Sequence, residues 1–209
     1  MKARDAILSR LGSTNAAPIA AEAEALLSTP ERPFVDMTAL EEAFLAKLSL
    51  PSLAATHDAI DSLAELPAAI ERYLDGHGLP RTLCLPPDPR LTLCDWSNVS
   101  LHQEAAPDEA AALAIARCGV AETGSLILET SVTAPMLPNF LALHHLVLLD
   151  AKAIVAHLEE AVLPGPQPRA HYWITGVSGT TDIEGTYVRG AHGPRFLHVI
   201  LLHGPELTQ

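Results

Sequence analysis

Residues 171–203 read HYWITGVSGTTDIEGTYVRGAHGPRFLHVILLH, and two apolar runs inside this stretch decide the fold. A short run, Tyr172-Trp173-Ile174-Thr175, stops at Gly176, and a longer one, residues 196–202, starts just after Gly193-Pro194. Both read as strands. The longer run is apolar at nearly every position, the pattern of a strand in a sheet covered on both faces. Between them lie Ser178, Thr180, Thr181, Asp182, Glu184 and His192, punctuated by five of the chain's twelve glycines within eighteen residues. Glycine permits positive φ and lets a ligand come close to the backbone, so this segment has the makings of a pocket wall. The same composition also suits an ordinary polar loop.

Outward from that stretch, short apolar runs alternate with helical patterns from residue 52 onward, which points to an α/β sheet. Strands are expected at 53–57, 81–85, 99–102, 124–129 and 146–149. A helix carries Leu63, Leu66, Ile70 and Leu74 on one face, and Pro67 places its regular start near Glu65. Residues 88–95 read as a loop. Pro107-Asp108-Glu109 opens an Ala-rich helix that runs to Cys118 and stops at Gly119. Asp150 caps another, with Ile154, Val155, Leu158 and Val162 facing inward, before Pro164, Pro166 and Pro168 break it. At the start of the chain, Ile7, Leu8 and Leu11 share one face of a short helix ending at Gly12. Residues 13–36 form a Pro- and Ala-rich connector with one helical turn near 22–27. Thr38 followed by Glu41 is a capping-box signature for a helix with Leu40, Phe44 and Leu48 at its spacing. The resulting organisation is a helical N-terminal extension and linker over 1–50, then an α/β domain over 51–209 with an open, mostly parallel sheet flanked by helices.

The balance of 25 acidic against 13 basic residues, a formal charge of -12, disfavours nucleic acid or an anionic membrane as the main partner. The N-terminus, Met1-Lys2-Ala3-Arg4-Asp5, leads into a mixed apolar and polar stretch with neither a continuous signal-peptide core nor a segment of spanning length, so the expected address is cytoplasmic, without an integral membrane segment. Cys84, Cys94 and Cys118 are too widely spaced for a CxxC metal or iron–sulfur pattern, so no cluster of its own is expected, and they read as small buried thiols.

The second informative stretch is residues 119–125, GVAETGS. Here Glu122 is a candidate general base or nucleophile, and the same carboxylate would also serve to accept hydrogen bonds from a nearby turn. Thr123, Gly124 and Ser125 beside it are candidate ligand contacts. Loops of open α/β sheets collect beyond the carboxyl ends of the strands, so this loop and residues 178–192 are expected to wall one pocket. There, Asp182 would orient a histidine or cap a turn, and Glu184 would share its face on an extended chain. His192, in a glycine-flanked loop, is a better acid–base candidate than His198, which sits inside an apolar strand and reads as a satisfied core histidine. His144 and His145 would point to opposite strand faces, which suits a shared metal ion poorly, so no metal is expected and His145 is assigned to the pocket lining together with Ser178 and Thr180. Ser178, Asp182 and His192 have the residue types of a hydrolytic triad, but GVSGT is not a GxSxG elbow, and hydrolysis is set aside. Arg189 and Arg195 read as anion contacts or as solvated charge.

The strings GVAETGSLIL, HHLVLLDAKAIV, ITGVSGTTDIE and GAHGPRFLHVIL resemble the lactate-utilisation protein C family, also called the LutC/YkgG or LUD-domain family. The resemblance covers roughly residues 110–203. It implies a NagB/RpiA/CoA-transferase-like fold and a part in oxidising L-lactate to pyruvate, beside separate iron–sulfur oxidoreductase proteins and with a small organic acid or phosphate-bearing ligand. Two alternatives stand beside it: a free-standing acyl- or CoA-transferase-like enzyme using Glu122 as nucleophile, and an organic-acid-binding regulator. The sequence departs from the family pattern where Gly179, not arginine, follows Ser178, and where residues 134–144 hold no basic residue except His144. Both departures bear on the ligand, because arginine is the usual bidentate clamp for a carboxylate.

Overall fold

Phe196–Leu202 takes a place between two other strands of a six-stranded sheet, as its unbroken apolarity requires. The computed structural model describes residues 3–10, 20–24, 32–161, 168–181, 183–190 and 193–204. The chain divides into a unit Met1–Phe34 and a unit Val35–Gln209. In the first, α1 (Ala3–Arg10) is the opening helix and residues 20–24 are helical, while Leu11, Gly12 and the end of the expected 22–27 turn lie outside the described residues. No described helix is long and apolar enough to cross a membrane.

In the second unit β1 (Thr56–Ile60), β2 (Thr82–Cys84), β3 (Ser100–His102), β4 (Ala111–Ile115), β7 (His144–Asp150) and β12 (Phe196–Leu202) pair in the order β1-β12-β7-β4-β2-β3, every pair parallel. A smaller mixed sheet, β8-β5-β6-β9, joins β5 (Cys118–Val120), β6 (Ser125–Glu129), β8 (Ile154–Val155) and β9 (His171–Ile174). β10 (Gly179–Thr181) and β11 (Tyr187–Arg189) form an antiparallel hairpin. On one face of the large sheet, Leu113, Leu146, Leu148 and Ile200 pack against Leu66, Ile70 and Leu74 of α3 (Leu66–Gly76). On the other, Ala114, Val147, Leu149 and Val199 meet Leu126 and Leu128 of β6 and Phe44 and Leu48 of α2 (Leu40–Leu48). The expected open parallel sheet with flanking helices is therefore what forms. Burying Phe44 and Leu48 completely stabilises by roughly 1.5–3 kcal/mol each, which makes α2 part of the α/β core rather than of the extension.

Several local expectations are overturned. The Ala-rich helix of 107–118 does not form, since residues 111–115 are β4 and Cys118 already starts β5. Helix propensity is a weak prior, and small side chains are what a strand needs between two close layers: Ala111, Ala112 and Ala114 are all buried. The helix after Asp150 is also absent. Asp150 does accept a hydrogen bond from the Lys152 backbone N–H, but it caps one 3-10 turn, after which Ile154 and Val155 pair with β5 and Leu158–Ala161 forms a second turn. Val162 lies outside the described residues. The capping box is replaced by a local turn: Thr38 gives its hydroxyl and N–H to Asp36, and Glu41 reaches His203 at 3.0 Å. The strand expected at 53–57 begins only at Thr56, because residues 50–54 turn through Leu53 N–H to Leu50 C=O. Residues 88–95 contain a short helix, α4 (Pro89–Thr92), capped by Asp88. Pro67 sits in the first turn of α3 as read from the sequence.

The strand order matters for the site. From β1 the chain jumps to β2 and on to the edge at β3, then returns to β4 and proceeds the opposite way through β7 to β12. The reversal lies between β2 and β4, where crevices open in sheets of this kind.

Candidate functional site

A cleft of about 680 Å³ lies at that reversal, beyond the carboxyl ends of β2, β4 and β7. Its charges are mostly spent on one another. Arg90 holds Asp88 through two contacts of 2.9 and 2.6 Å, which keeps the Asp88 carboxyl below its usual range. Arg117 donates to Glu129 at 3.0 Å and to the Ala161 carbonyl at 2.7 Å. The Lys152 ammonium makes no ion pair with a described residue, and Thr130, Ser131 and Thr133 add hydroxyls along the wall.

A second recess, about 290 Å³, opens on the face of β7 and β12 turned toward β9. It is walled by His145, Trp173, Thr175, Ser178, Leu197 and the Gly193-Pro194 corner. α5 (Pro138–Leu141) supplies Asn139, which borders both cavities and donates from Nδ2 to the Tyr172 hydroxyl at 2.5 Å. His145 is 1% exposed, and neither ring nitrogen has a hydrogen-bond partner among the described residues. Burial pushes its pKa down to about 4, so at neutral pH the ring carries one N–H donor and one lone pair, both unspent. A buried polar group left so costs about 1–3 kcal/mol, which a fold bears only for a reason. Its neighbour His144 faces the other way and is paired, Nδ1 lying 2.9 Å from the Tyr73 hydroxyl. His198 is likewise bonded inside the core, Nδ1 to Thr56 Oγ1 at 2.8 Å.

The loop of residues 119–125 does approach the segment after β9. Thr123 Oγ1 lies 2.7 Å from Ser125 Oγ, which lies 2.6 Å from Thr175 Oγ1. Gly124 (φ 71°) and Gly176 (φ 84°) both press on Leu53, the first where a Cβ would stand 2.9 Å from its Cδ2 and the second where it would stand 2.6 Å from its Cα. Glu122, however, turns elsewhere. Its Oε2 lies 2.8 Å from His157 Nδ1 and its Oε1 accepts the Leu158 N–H at 2.8 Å, so the carboxylate caps a turn and lines neither cavity. Thr180 stands exposed on β10, and Glu184 is exposed in the turn that follows. Arg189 donates to the Pro51 carbonyl at 3.0 Å, and the Arg195 guanidinium lies 6.0 Å from the centre of the Phe196 ring. Asp182 and His192 lie outside the described residues.

The structure thus brings together His145, Ser178 and Thr175, with Ser125 and Thr123 behind them, and leaves Glu122, Thr180 and Glu184 apart. Sequence reasoning missed Asn139, Trp173 and Lys152. Lys152 had a signal, a lone cation two residues past an apolar strand, whereas Asn139 in a Pro-rich loop had none.

The LUD domain family matches residues 103–202 of this chain. Lactate utilization protein C of Deinococcus radiodurans is 34% identical over 160 residues, covering 68% of this chain and 70% of that protein. An uncharacterized protein of Neisseria meningitidis is 33% identical over 92 residues, covering 42% of this chain and only 40% of its own length. The crystal structure of a DUF162 family protein from Deinococcus radiodurans shares the fold, with a TM-score of 0.56 over 81% of this chain and all of that one at 20% identity.

Proposed function

Since the chain belongs to the LUD-domain family, we propose that it takes part in lactate utilisation as a substrate-handling component, receiving a small 2-hydroxy or 2-keto acid in the recess beside His145. One observation carries this reading: a neutral imidazole, fully buried, with donor and acceptor both unspent and a recess in front of it. A lactate hydroxyl can donate to the bare nitrogen, and a pyruvate carbonyl can accept from the N–H. The Ser178 and Thr175 hydroxyls stand at the same wall, and Trp173 and Leu197 supply apolar surface for a methyl group. Electron transfer would fall to separate iron–sulfur oxidoreductase proteins working beside this chain in the cytoplasm.

Calorimetric titration of the wild-type chain and of His145→Leu and Ser178→Ala with L-lactate and pyruvate tests the proposal. Ligand at ~100 times its dissociation constant should stabilise the wild type by about 2.7 kcal/mol, and His145→Leu should lose that gain. Wild-type protein that ignores both acids sinks it. Acyl transfer through Glu122 is the weaker reading, because that carboxylate is engaged by His157 and Leu158 rather than presented to either cavity. Incubation with acyl-CoAs followed by hydroxylamine would reveal a modified Glu122 peptide if it operates.

A further inference from the structure

Where the ends of β2 and β3 meet the loop before β4, three residues come together that line neither cavity and that the mechanism above does not use. Cys84 closes β2 and His102 closes β3, and the parallel register sets them directly side by side. Glu109 arrives from the loop before β4, with its backbone fixed on both sides: its N–H donates to the Ala106 carbonyl, and its own carbonyl accepts from Leu143. Cys84 Sγ, a His102 ring nitrogen and a Glu109 carboxylate oxygen all lie within 4.8 Å of one another.

We propose that Cys84, His102 and Glu109 bind one zinc-class divalent ion. The donor set selects the metal: a thiolate with an imidazole and a carboxylate suits Zn²⁺ and is wrong for Mg²⁺ or Ca²⁺, which take oxygen ligands. Around tetrahedral zinc, with bonds of about 2.0–2.3 Å, donor atoms sit roughly 3.3–3.8 Å apart. The observed cluster brackets that range, with His102 Nε2 2.7 Å from Glu109 Oε2 and no pair of donors beyond 4.8 Å. The ion would displace the short His–Glu hydrogen bond and draw in the sulfur, whose present contact, the Gln103 carbonyl at 3.7 Å, is weak. Cys84 and Glu109 are buried at 1% and 4% exposure, while the His102 side chain is 38% exposed. Solvent therefore reaches the site from the histidine side, where a water completes the fourth position. Burial and the Glu109 carboxylate hold the Cys84 thiol up at about 11, so without an ion it keeps its proton. On binding, the S–H bond breaks, the sulfur–metal bond forms and the proton leaves to solvent. Residue spacing alone does not reveal this site, because the three residues share no recognisable spacing and only the β2-β3-β4 arrangement unites them.

Full-length protein stripped by a chelator and titrated with Co²⁺, then Zn²⁺, is the test. The expected result is one equivalent per chain, a thiolate-to-cobalt charge-transfer absorption that Zn²⁺ abolishes, and a raised melting temperature. Cys84→Ser removes the charge-transfer absorption. His102→Gln changes a partly exposed side chain and leaves the core intact, so it reads the site even if the cysteine variant folds poorly; it should weaken binding at least about tenfold. Absence of the thiolate absorption in the wild type, or binding unchanged in His102→Gln, overturns the proposal and assigns any uptake to other surface groups.

Discussion

The two faces of β7 and β12 at their amino ends solve the same problem in opposite ways. Toward α3, His144 and His198 sit in a cluster of rings with Tyr73, His77 and Phe196, and each has a hydrogen-bond partner. Toward β9, one residue further along β7, His145 is buried as deeply with no hydrogen-bond partner among the described residues and a recess before it. Both faces place imidazole in an apolar layer. Both faces bury apolar side chains in the core, but of these three histidines only His144 and His198 have a ring nitrogen engaged among the described residues, and the His145 ring keeps its hydrogen-bonding capacity unspent. A histidine's place in an apolar strand therefore does not tell its role, whereas the state of its ring nitrogens does.

Acid should strain this contrast most. Burial holds His144, His145 and His198 near pKa 4 against 6.5, with His77 adding to the effect at His144 and Asp58 opposing it at His198. Between those values the unfolded chain binds protons that the folded chain refuses, so stability is flat above pH 6.5 and falls as the pH drops toward 4. At about 1.4 kcal/mol per pH unit, each histidine accounts for roughly 3 kcal/mol at the acid end. Urea midpoints measured across that window check it, and a level curve would break the comparison. Gly176→Ala, on the recess side, should cost about 2–4 kcal/mol in the same assay, because φ is 84° and the new Cβ would meet the Leu53 backbone. Tyr73→Phe leaves His144 without its bond and should lose about 1–2 kcal/mol. His145→Leu sharpens the contrast by its sign: removing an unpaired buried group should raise the urea midpoint, by about 1 kcal/mol in stability, while binding is lost.

Much of the fold was legible because apolar runs such as Phe196–Leu202 and Ser125–Glu129 admit one reading. The misreadings share a cause. Ala111–Ile115 has the composition of a helix, and only the layers on either side make small residues right for a strand. Asp150 and Thr38 carry helix-start chemistry that the structure spends on short turns. In the recess, His145 and Ser178 were readable as pocket residues from their place beside strands and glycines. That the Glu122 carboxylate would be taken up by His157 was not, since it depends on β8 pairing with β5 across more than thirty residues of chain.

β12 has a further consequence for how the protein is made. It lies between β1 and β7, and it is the last strand of the described chain to leave the ribosome. Until it emerges, Thr56–Ile60 has no neighbour to pair with, and the wall that Leu197 gives the recess is missing. Before β12 is made, β7 is therefore the edge of a four-stranded sheet, β7-β4-β2-β3, with β1 unattached, and β12 is the strand that joins the two.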